Sequence, residues 1–231
     1  MNAVEWRVLP DPEELVGVIA GALLAAADAA VADRGVFHLV LAGGTTPRAL
    51  YRALAERNAG DARWHVWYSD ERCLPADHPA RNSVMAESDW LAGSRIPPGN
   101  RRAIPAERGA VDAAAVYSRW LAGAPDFDVA LLGVGEDGHT ASLFPGHDWG
   151  TAPDSPGALA VLDAPKPPPE RVSLSAAQLC RSKRVWFVAT GAAKRDALQR
   201  WARCEALPVA AVHGTEETIA WLDAAAWPGD D

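Results

Sequence analysis

Short apolar runs alternate with helix-like segments along the whole chain, and this alternation limits the fold more than any other feature. The runs predict strands at 4–9, 37–42, 64–69, 128–133, 158–162, 184–190 and 208–213. The segments between them predict helices at 12–32, 47–57, 111–121, 192–202 and 216–222. Strands alternating with helices need right-handed crossovers, which produce a mainly parallel sheet with helices on both faces. The sequence therefore predicts an open, Rossmann-like α/β fold, and without a repeat or linker we expect one domain over residues 1–231.

Composition limits the kinds of molecule that a protein with such a fold can bind. The formal charge of −8 leaves no overall positive field to hold nucleic acid or an anionic membrane surface. Three cysteines without a CxxC spacing (Cys73, Cys180, Cys204) predict reduced structural thiols rather than disulfides or a zinc cluster. The apolar run at 17–27 has acidic residues before it and is too short for a bilayer span or a signal peptide. These features indicate a cytoplasmic protein with a small-molecule partner; they do not determine the oligomeric state.

Three polar segments, at 43–47, 70–82 and 133–147, each follow a predicted strand. In open α/β sheets, ligands bind beyond the carboxyl ends of the strands. We therefore expect these segments to meet at one site.

The first of them, Gly43-Gly44-Thr45-Thr46-Pro47, has the composition of an anion-binding turn. The glycines allow close backbone approach, and a helix predicted to begin at Pro47 offers free N–H groups to a phosphate. The two threonine hydroxyls either donate to the anion or cap the helix. An ordinary capped turn explains the same residues, and the absence of Gly-Lys-Ser/Thr excludes a Walker A loop. Lys194, early in a later helix, is a second candidate phosphate contact, although a lone lysine there is commonly only solvated.

The segment GVGEDGHTASLFPGH (133–147) superficially matches the dinucleotide fingerprint G-x-G-x-x-G. That fingerprint requires a helix directly after the glycines to receive the pyrophosphate. Pro145 and Gly146, with further prolines and glycines up to residue 156, leave no room for such a helix. A nicotinamide enzyme is therefore not expected.

His139 in this segment is the candidate general base, and either Glu136 or Asp137 could orient its ring. A structural loop histidine is the alternative. The chain has no GxSxG elbow for a serine nucleophile, and no second histidine stands at a metal-ligand spacing. We expect neither a metal nor another cofactor.

Asp70 and Arg72 follow the strand predicted at 64–69. Arg72 could stabilise an oxyanion and Asp70 could position it, or the two could be a surface ion pair. Residues 81–83 resemble a helix N-terminus, and His38, His65, His78 and His213 have the settings of structural histidines.

Taken together, the segments LAGGTTPRALY, WYSDERCLPADHPARNS, DVALLGVGEDGHTASLFPG, PERVSLS and TGAAKRDAL resemble the 6-phosphogluconolactonase family, which is related in fold to glucosamine-6-phosphate deaminases. They occur in family order between residues 41 and 198. The resemblance implies that His139 activates water with Glu136 and Asp137 nearby, and that Asp70 and Arg72 belong to the active site. It also implies that Gly44, Thr45, Thr46, Arg171 and Lys194 hold the substrate phosphate.

Two other functions stay open at this level. The deaminase relatives usually carry Asn-Glu-Pro soon after Asp-Gly-His, where this chain has Leu143-Phe144-Pro145, so deamination is disfavoured. An effector-binding module would keep the phosphate turn but would not need the histidine beside two carboxylates. The resemblance implies that the chain hydrolyses 6-phospho-D-glucono-1,5-lactone in the oxidative pentose phosphate pathway.

Overall fold

The computed structural model describes residues 3–229 of the chain. The strands are β1 (Glu5–Leu9), β2 (Phe37–Leu41), β3 (Trp64–Tyr68), β4 (Asp70–Arg72), β5 (Val129–Gly133), β6 (Ala158–Val161), β7 (Arg171–Leu174), β8 (Arg184–Ala189) and β9 (Glu217–Asp223). The α-helices are α1 (Pro12–Arg34), α2 (Thr45–Glu56), α3 (Asn82–Asp89), α4 (Ala110–Ala122), α5 (Ala176–Leu179) and α6 (Arg195–Ala202).

Six strands form the central sheet in the order β1-β9-β8-β5-β2-β3, and every neighbouring pair is parallel. All residues of β2 and nearly all of β5 are buried, as expected for central strands covered on both faces. Because the strands are parallel, the loops after β2, β3, β5 and β8 leave the same edge of the sheet. The predicted mainly parallel α/β fold is confirmed.

The helices lie on both faces of this sheet. On one face, α1 contacts α2 and the strands β1, β2 and β9. On the other face, Tyr117 of α4 lies 6.2 Å from the ring of Trp67, and Trp201 of α6 lies 4.9 Å from that of Phe187. The aromatic side chains thus fix α4 and α6 above the core.

Helix α1 is longer than the apolar run that marks it in the sequence. Its 23 residues, with a mean hydropathy of 2.1 in the most apolar window, are enough by length and composition to cross a membrane. Its packing is that of a core helix, because Leu15, Ile19 and Leu23 repeat every four residues and are completely buried. Asp11 caps the helix start by accepting from two backbone N–H groups, and Gly35 ends it in the left-handed conformation.

A small antiparallel sheet, β4-β7-β6, was not predicted. Its first strand follows β3 after one residue, and β7 lies in a stretch where the prolines hide a strand pattern. The run predicted as a strand at 158–162 belongs to this sheet rather than to the parallel one. The consequence for function is that β4 and β7 place Asp70, Arg72 and Arg171 next to one another in register, with Arg72 opposite Arg171.

Two predictions near the C-terminus are wrong. The run at 208–213 is a short 3-10 helix (Pro208–Ala211) rather than a strand, and the segment at 216–222 is strand β9 rather than a helix. Strand β9 lies between β1 and β8 and is almost wholly buried, so pairing on both sides outweighs the helical preference of Glu217 at its start. The helix predicted at 192–202 begins as a 3-10 turn (Ala192–Lys194) that leads into α6.

Candidate active site

A cavity of about 330 Å³ opens at the carboxyl edge of the central sheet. Residues that directly follow four strands line it: Ala42 after β2, Ser69 after β3, Val134 after β5 and Thr190 after β8. The three polar segments selected from the sequence therefore do meet at one place, as the strand ends predict.

The turn after β2 forms one wall of the cavity. The hydroxyl of Tyr51 donates to the Ala42 carbonyl (2.6 Å) and accepts from the Ala42 N–H (3.0 Å), which holds the start of the turn. A Cβ atom on Gly43 would collide with the side chain of Asn82, so only glycine fits there. Gly44, with φ +110°, is the residue before the helix and supplies no side-chain cap.

Helix α2 begins at Thr45, two residues before the predicted start at Pro47. The threonines are therefore the first residues of the helix rather than its cap. Their N–H groups have no acceptor within the helix, and the helix dipole is positive at this end. The hydroxyl of Thr46 lies 2.8 Å from that of Thr190 after β8, which ties the two loops together. The turn has the geometry of an anion cradle.

The loop after β5 folds back on itself and presents His139. Gly135 donates its N–H to the His139 carbonyl (2.7 Å), and the Thr140 hydroxyl donates to the Gly133 carbonyl (2.9 Å). A Cβ atom on Gly135 would collide with the His139 ring and with the Asp137 carboxylate. Gly138 has φ +84°, a conformation that favours glycine. The glycines that imitate a dinucleotide fingerprint thus serve to bring an imidazole against a carboxylate.

Asp137 is the carboxylate that contacts His139. Its Oδ1 lies 2.5 Å from His139 Nδ1. Burial lowers the pKa of His139 below its usual range, although the Asp137 charge opposes this. Burial alone would raise the pKa of Asp137, but the hydrogen bond from the His139 ring, the charge of that ring and backbone N–H groups together outweigh burial, and the net pKa of that carboxyl is lowered. A neutral imidazole that donates through Nδ1 to a carboxylate keeps the lone pair on Nε2.

Glu136, the other carboxylate proposed beside His139, is exposed and makes no contact with the imidazole. Its charge acts instead on Lys194. Burial lowers the pKa of Lys194, and the nearby Glu136 carboxylate opposes that decrease. Of the two alternatives left open by the sequence, the structure places Asp137 on the ring.

Asp70 is buried and fully hydrogen-bonded. Its carboxylate accepts from Ser142 Oγ (2.6 Å) and from Asn82 Nδ2 (2.9 Å). Asn82 also packs against Gly43, so Asp70 links the turn after β2, α3 and the loop that carries His139. This arrangement fits a role in positioning rather than proton transfer.

Arg72 is not one half of a surface ion pair with Asp70. Its Nη1 donates to the Ala80 carbonyl (2.5 Å), while its buried Nε has no hydrogen-bond partner within residues 3–229. The neighbouring Glu71 is completely buried and accepts from the first N–H groups of α3, at Asn82 (2.7 Å) and Ser83 (2.8 Å). Residues 81–83 therefore do begin a helix, as predicted.

Four cationic side chains line the cavity: Arg72, Lys166, Arg171 and Lys194. Arg171, predicted to bind phosphate, uses its Nε and Nη2 to donate to the carbonyls of Pro168 (3.1 Å) and Lys166 (2.8 Å). Its guanidinium also lies over the ring of Phe144, 5.5 Å from the centroid. Arg171 thus holds the proline-rich loop 164–169 in place as well as facing the cavity.

Lys166, Asn82 and Ser142 were not identified from the sequence. Lys166 stands in a proline-rich stretch without periodicity, and hydrogen bonds from Arg171 to that loop help to hold it at the cavity. Asn82 and Ser142 are short polar side chains of kinds found throughout the chain. No cluster of three or more His, Cys, Asp or Glu side chains suited to a metal ion occurs within the part of the chain that the structure describes.

Comparison with known sequences places this site in a protein family. A family model described as glucosamine-6-phosphate isomerases/6-phosphogluconolactonase matches residues 10–221. The chain is 37% identical over 235 residues to a 6-phosphogluconolactonase of Mycobacterium tuberculosis, covering 94% of each protein. It is 34% identical over 196 residues to a GDH/6PGL endoplasmic bifunctional protein of Oryctolagus cuniculus. That alignment covers 80% of this chain and spans only 24% of the rabbit protein.

Among solved structures, too, 6-phosphogluconolactonases resemble this chain. A 6-phosphogluconolactonase from Thermotoga maritima superposes with a TM-score of 0.88 at 27% identity, covering 96% of this chain and 100% of that one. A 6-phosphogluconolactonase from Trypanosoma brucei has a TM-score of 0.85 at 27% identity, covering 96% and 97%. A monomeric glucosamine-6-phosphate deaminase, 20% identical with a TM-score of 0.79, shares the fold.

Proposed function

The chain belongs to the glucosamine-6-phosphate isomerase/6-phosphogluconolactonase family, and on that premise we propose that it hydrolyses 6-phospho-D-glucono-1,5-lactone to 6-phospho-D-gluconate. This reaction belongs to the oxidative pentose phosphate pathway. The observation that carries the proposal is the His139–Asp137 pair, 2.5 Å apart, beside a cavity with four cations. A general base next to an anion cradle matches a phosphorylated, activated ester.

The reaction needs one proton acceptor and one stabiliser of negative charge. His139 Nε2 takes a proton from water, and the resulting hydroxide attacks the lactone carbonyl carbon. The Asp137 carboxylate stabilises the imidazolium that forms. The tetrahedral oxyanion collapses, the bond to the ring oxygen breaks, and the imidazolium returns its proton to that oxygen. Water is the only co-reactant, and no atom changes its oxidation state.

Arg72 is the side chain best suited to stabilise the oxyanion. Its guanidinium lines the cavity and is held there by the hydrogen bond from Nη1 to the Ala80 carbonyl, so its positive charge is in place before substrate binds. A donor already fixed in place need not reorganise when charge develops.

The phosphate is expected at the turn after β2. The N–H groups at the start of α2, the hydroxyl of Thr45 and the ammonium of Lys194 face the same cavity, with Gly43 and Gly44 allowing close approach. Binding at this remote group would orient the lactone against His139 and lower the entropic part of the barrier. Arg171 contributes to this end of the cavity mainly by holding the loop that carries Lys166.

Deamination is disfavoured by the residues after His139. Leu143 and Phe144 are almost completely buried, and the Phe144 ring packs 4.8 Å from the His139 ring, so this stretch supplies no carboxylate. A non-enzymatic effector-binding module would not need the pair formed by His139 and Asp137. We further propose that the protein is cytoplasmic, acts on a small molecule alone and needs no cofactor.

Acid release tests the proposal. Freshly prepared 6-phosphogluconolactone is mixed with the pure protein in a pH-stat, with and without EDTA, and the rate is compared with spontaneous hydrolysis. We expect a large acceleration that EDTA leaves unchanged. A rate equal to the spontaneous one, or ammonia released from glucosamine 6-phosphate, would contradict the assignment.

A further inference from the structure

A second cavity, of about 380 Å³, lies at the opposite end of the central sheet. It is bordered by His38 and His65, the second residues of β2 and β3, whereas the active site lies beyond the last residues of these strands. The length of the strands separates the two cavities. The proposed lactone hydrolysis uses none of the residues that line this second cavity.

Aromatic rings form the walls of the second cavity. His38 and His65 are paired in register and stack with their ring centroids 4.8 Å apart and their planes 19° apart. Trp67 follows His65 on the same face of β3, and Trp120 near the end of α4 is 42% exposed at the cavity. Flat faces of this kind favour planar aromatic ligands, because offset and edge contacts add to the burial of apolar area.

His38 supplies a hydrogen-bond donor to this cavity. Its Nδ1 accepts from Trp67 Nε1 (3.2 Å), so the proton of the neutral ring is on Nε2. Burial and the nearby His65 lower the pKa of His38 to about 4, so the ring is neutral near pH 7. The side chain is more than nine-tenths buried, and its Nε2 has no protein partner among residues 3–229. An N–H group in this position is available to a ligand.

Charge at the cavity is positive. Arg102 borders it, and its guanidinium makes no ion pair within the described chain. None of the described residues that line the cavity is acidic. The nearest buried carboxylate, Asp128, accepts from the His38 backbone N–H (2.9 Å) and pairs with Arg34, and it does not line the cavity. In a chain of formal charge −8, an unpaired arginine beside a free N–H donor selects for an anionic group.

We propose that this second cavity binds a small planar aromatic molecule that carries one anionic group. The aromatic ring lies against Trp120 and the stacked imidazoles. The anion accepts from His38 Nε2 and from the Arg102 guanidinium. The volume, about 380 Å³, falls within the range of small-molecule sites.

Binding of 2-naphthoate, measured by isothermal titration calorimetry, tests this proposal. Two analogues serve as ligand controls. The first, 2-naphthamide, keeps the aromatic ring and lacks the charge, and the second, cyclohexanecarboxylate, keeps the charge and lacks the aromatic ring. We expect 2-naphthoate to bind more tightly than either. Arg102→Gln should weaken it about three- to tenfold, because a solvent-exposed cation is partly screened. Trp120→Ala should weaken it about two- to tenfold through the loss of ring contacts.

Both substitutions are at exposed positions, so the fold should survive, and far-UV circular dichroism checks this. Arg119→Gln removes the same charge from the neighbouring exposed residue of α4 and should leave the affinity unchanged. Lys194→Ala, in the active site, should also leave it unchanged, and Arg102→Gln should not change the rate of lactone hydrolysis. The proposal is wrong if 2-naphthoate does not bind, if it binds only through Lys194, or if a peptide ending in an aromatic residue binds while 2-naphthoate does not.

Discussion

Two imidazoles lie at opposite ends of the same sheet, the partly buried His139 beyond the carboxyl end of β5 and the buried His38 near the amino end of β2. Burial lowers the pKa of both, so both are neutral near pH 7. They differ in the group on Nδ1. Asp137 accepts from His139, which leaves Nε2 with a lone pair, whereas Trp67 donates to His38, which leaves Nε2 with a proton. The Asp137 carboxylate therefore leaves Nε2 of His139 as a proton acceptor, and the Trp67 indole leaves Nε2 of His38 as a hydrogen-bond donor.

The backbone that carries the two rings also differs, because His139 lies in a loop and His38 lies in a strand. At the carboxyl edge, glycines at 135 and 138 let the chain fold tightly enough to place a carboxylate on the ring. At the amino edge, His38 and His65 sit within regular strands and meet each other through the sheet register. The proposed catalytic pair therefore depends on irregular backbone, whereas the proposed binding surface is built on regular strands.

We expect the largest difference in kcat between the two ends of the sheet when each histidine is replaced by glutamine. His139→Gln removes the base and should lower kcat by about 10²–10⁴-fold, the usual value of general-base catalysis. His38→Gln keeps a side chain that can accept from the Trp67 indole and should leave kcat within about twofold. Initial rates of acid release from the phosphorylated lactone measure both. Near-normal turnover in His139→Gln would remove this residue from the mechanism.

Changing the group on Nδ1 should have the next largest effect. In Asp137→Asn the amide can donate to Nδ1, which moves the proton of the neutral ring to Nε2 and leaves no lone pair for water. We expect kcat to fall by about a hundredfold or more. Glu136→Gln is the matched control, because Glu136 is exposed and off the ring, and it should change kcat by less than about threefold. Equal losses in both variants would show that net charge near the site, rather than the tautomer, is what matters.

Removing the cations should act on affinity more than on chemistry. Lys194→Ala should raise KM for the phosphorylated lactone about ten- to a hundredfold, the cost of a lost charge-assisted contact, while leaving thermal stability unchanged. Arg195→Ala, one residue further and exposed, is the control and should leave KM unchanged. Arg171→Ala should raise KM and also lower Tm, because Arg171 holds the loop at Lys166.

An unphosphorylated gluconolactone, if it is hydrolysed, should be almost insensitive to Lys194→Ala. Equal losses for both lactones would mean that Lys194 does not bind the phosphate.

The smallest effect expected is a shift in the pH profile. The proposed mechanism requires neutral His139, so kcat should fall as pH decreases through the pKa of that ring, which burial lowers from its usual value. The profile of kcat is preferred to that of kcat/KM, because the substrate phosphate itself titrates near pH ~6. Asp137→Asn removes a negative charge that raises the pKa of His139, so the residual activity should fall off at lower pH still. A limb that moves upward in this variant would contradict the electrostatics proposed for the pair.

Much of the sheet and the place of the site could be predicted from the sequence. The apolar runs that became β2, β5 and β8 are short and lie in the sheet interior, where continuous hydrophobicity is the expected pattern. Placing polar segments after such strands was sufficient to bring Gly43, Asp70 and His139 together. Strand β9 could not be predicted, because a buried strand of seven residues has no hydrophobic periodicity that distinguishes it from a helix.

Details of the site that depend on contacts between distant segments could not be predicted. Adjacent glutamate and aspartate side chains look equivalent in sequence, and only the turn geometry places Asp137 rather than Glu136 on the ring. Lys166 reaches the cavity through hydrogen bonds from Arg171 to its loop, and Ser142 reaches Asp70 across 72 positions of sequence. The stacking of His38 on His65 depends on the strand register, so the sequence alone indicates only structural histidines at these two positions.

The protonation of the two imidazoles tests the comparison most directly. Long-range ¹H–¹⁵N correlation spectra of the ¹⁵N-labelled protein at pH 7.5 distinguish protonated from unprotonated ring nitrogens, and His38→Gln and His139→Gln assign the signals. We predict a proton on Nδ1 and a lone pair on Nε2 in His139, and the reverse in His38. The same tautomer in both rings, or a protonated Nε2 in His139, would contradict the conclusion that the neighbour on Nδ1 separates base from donor.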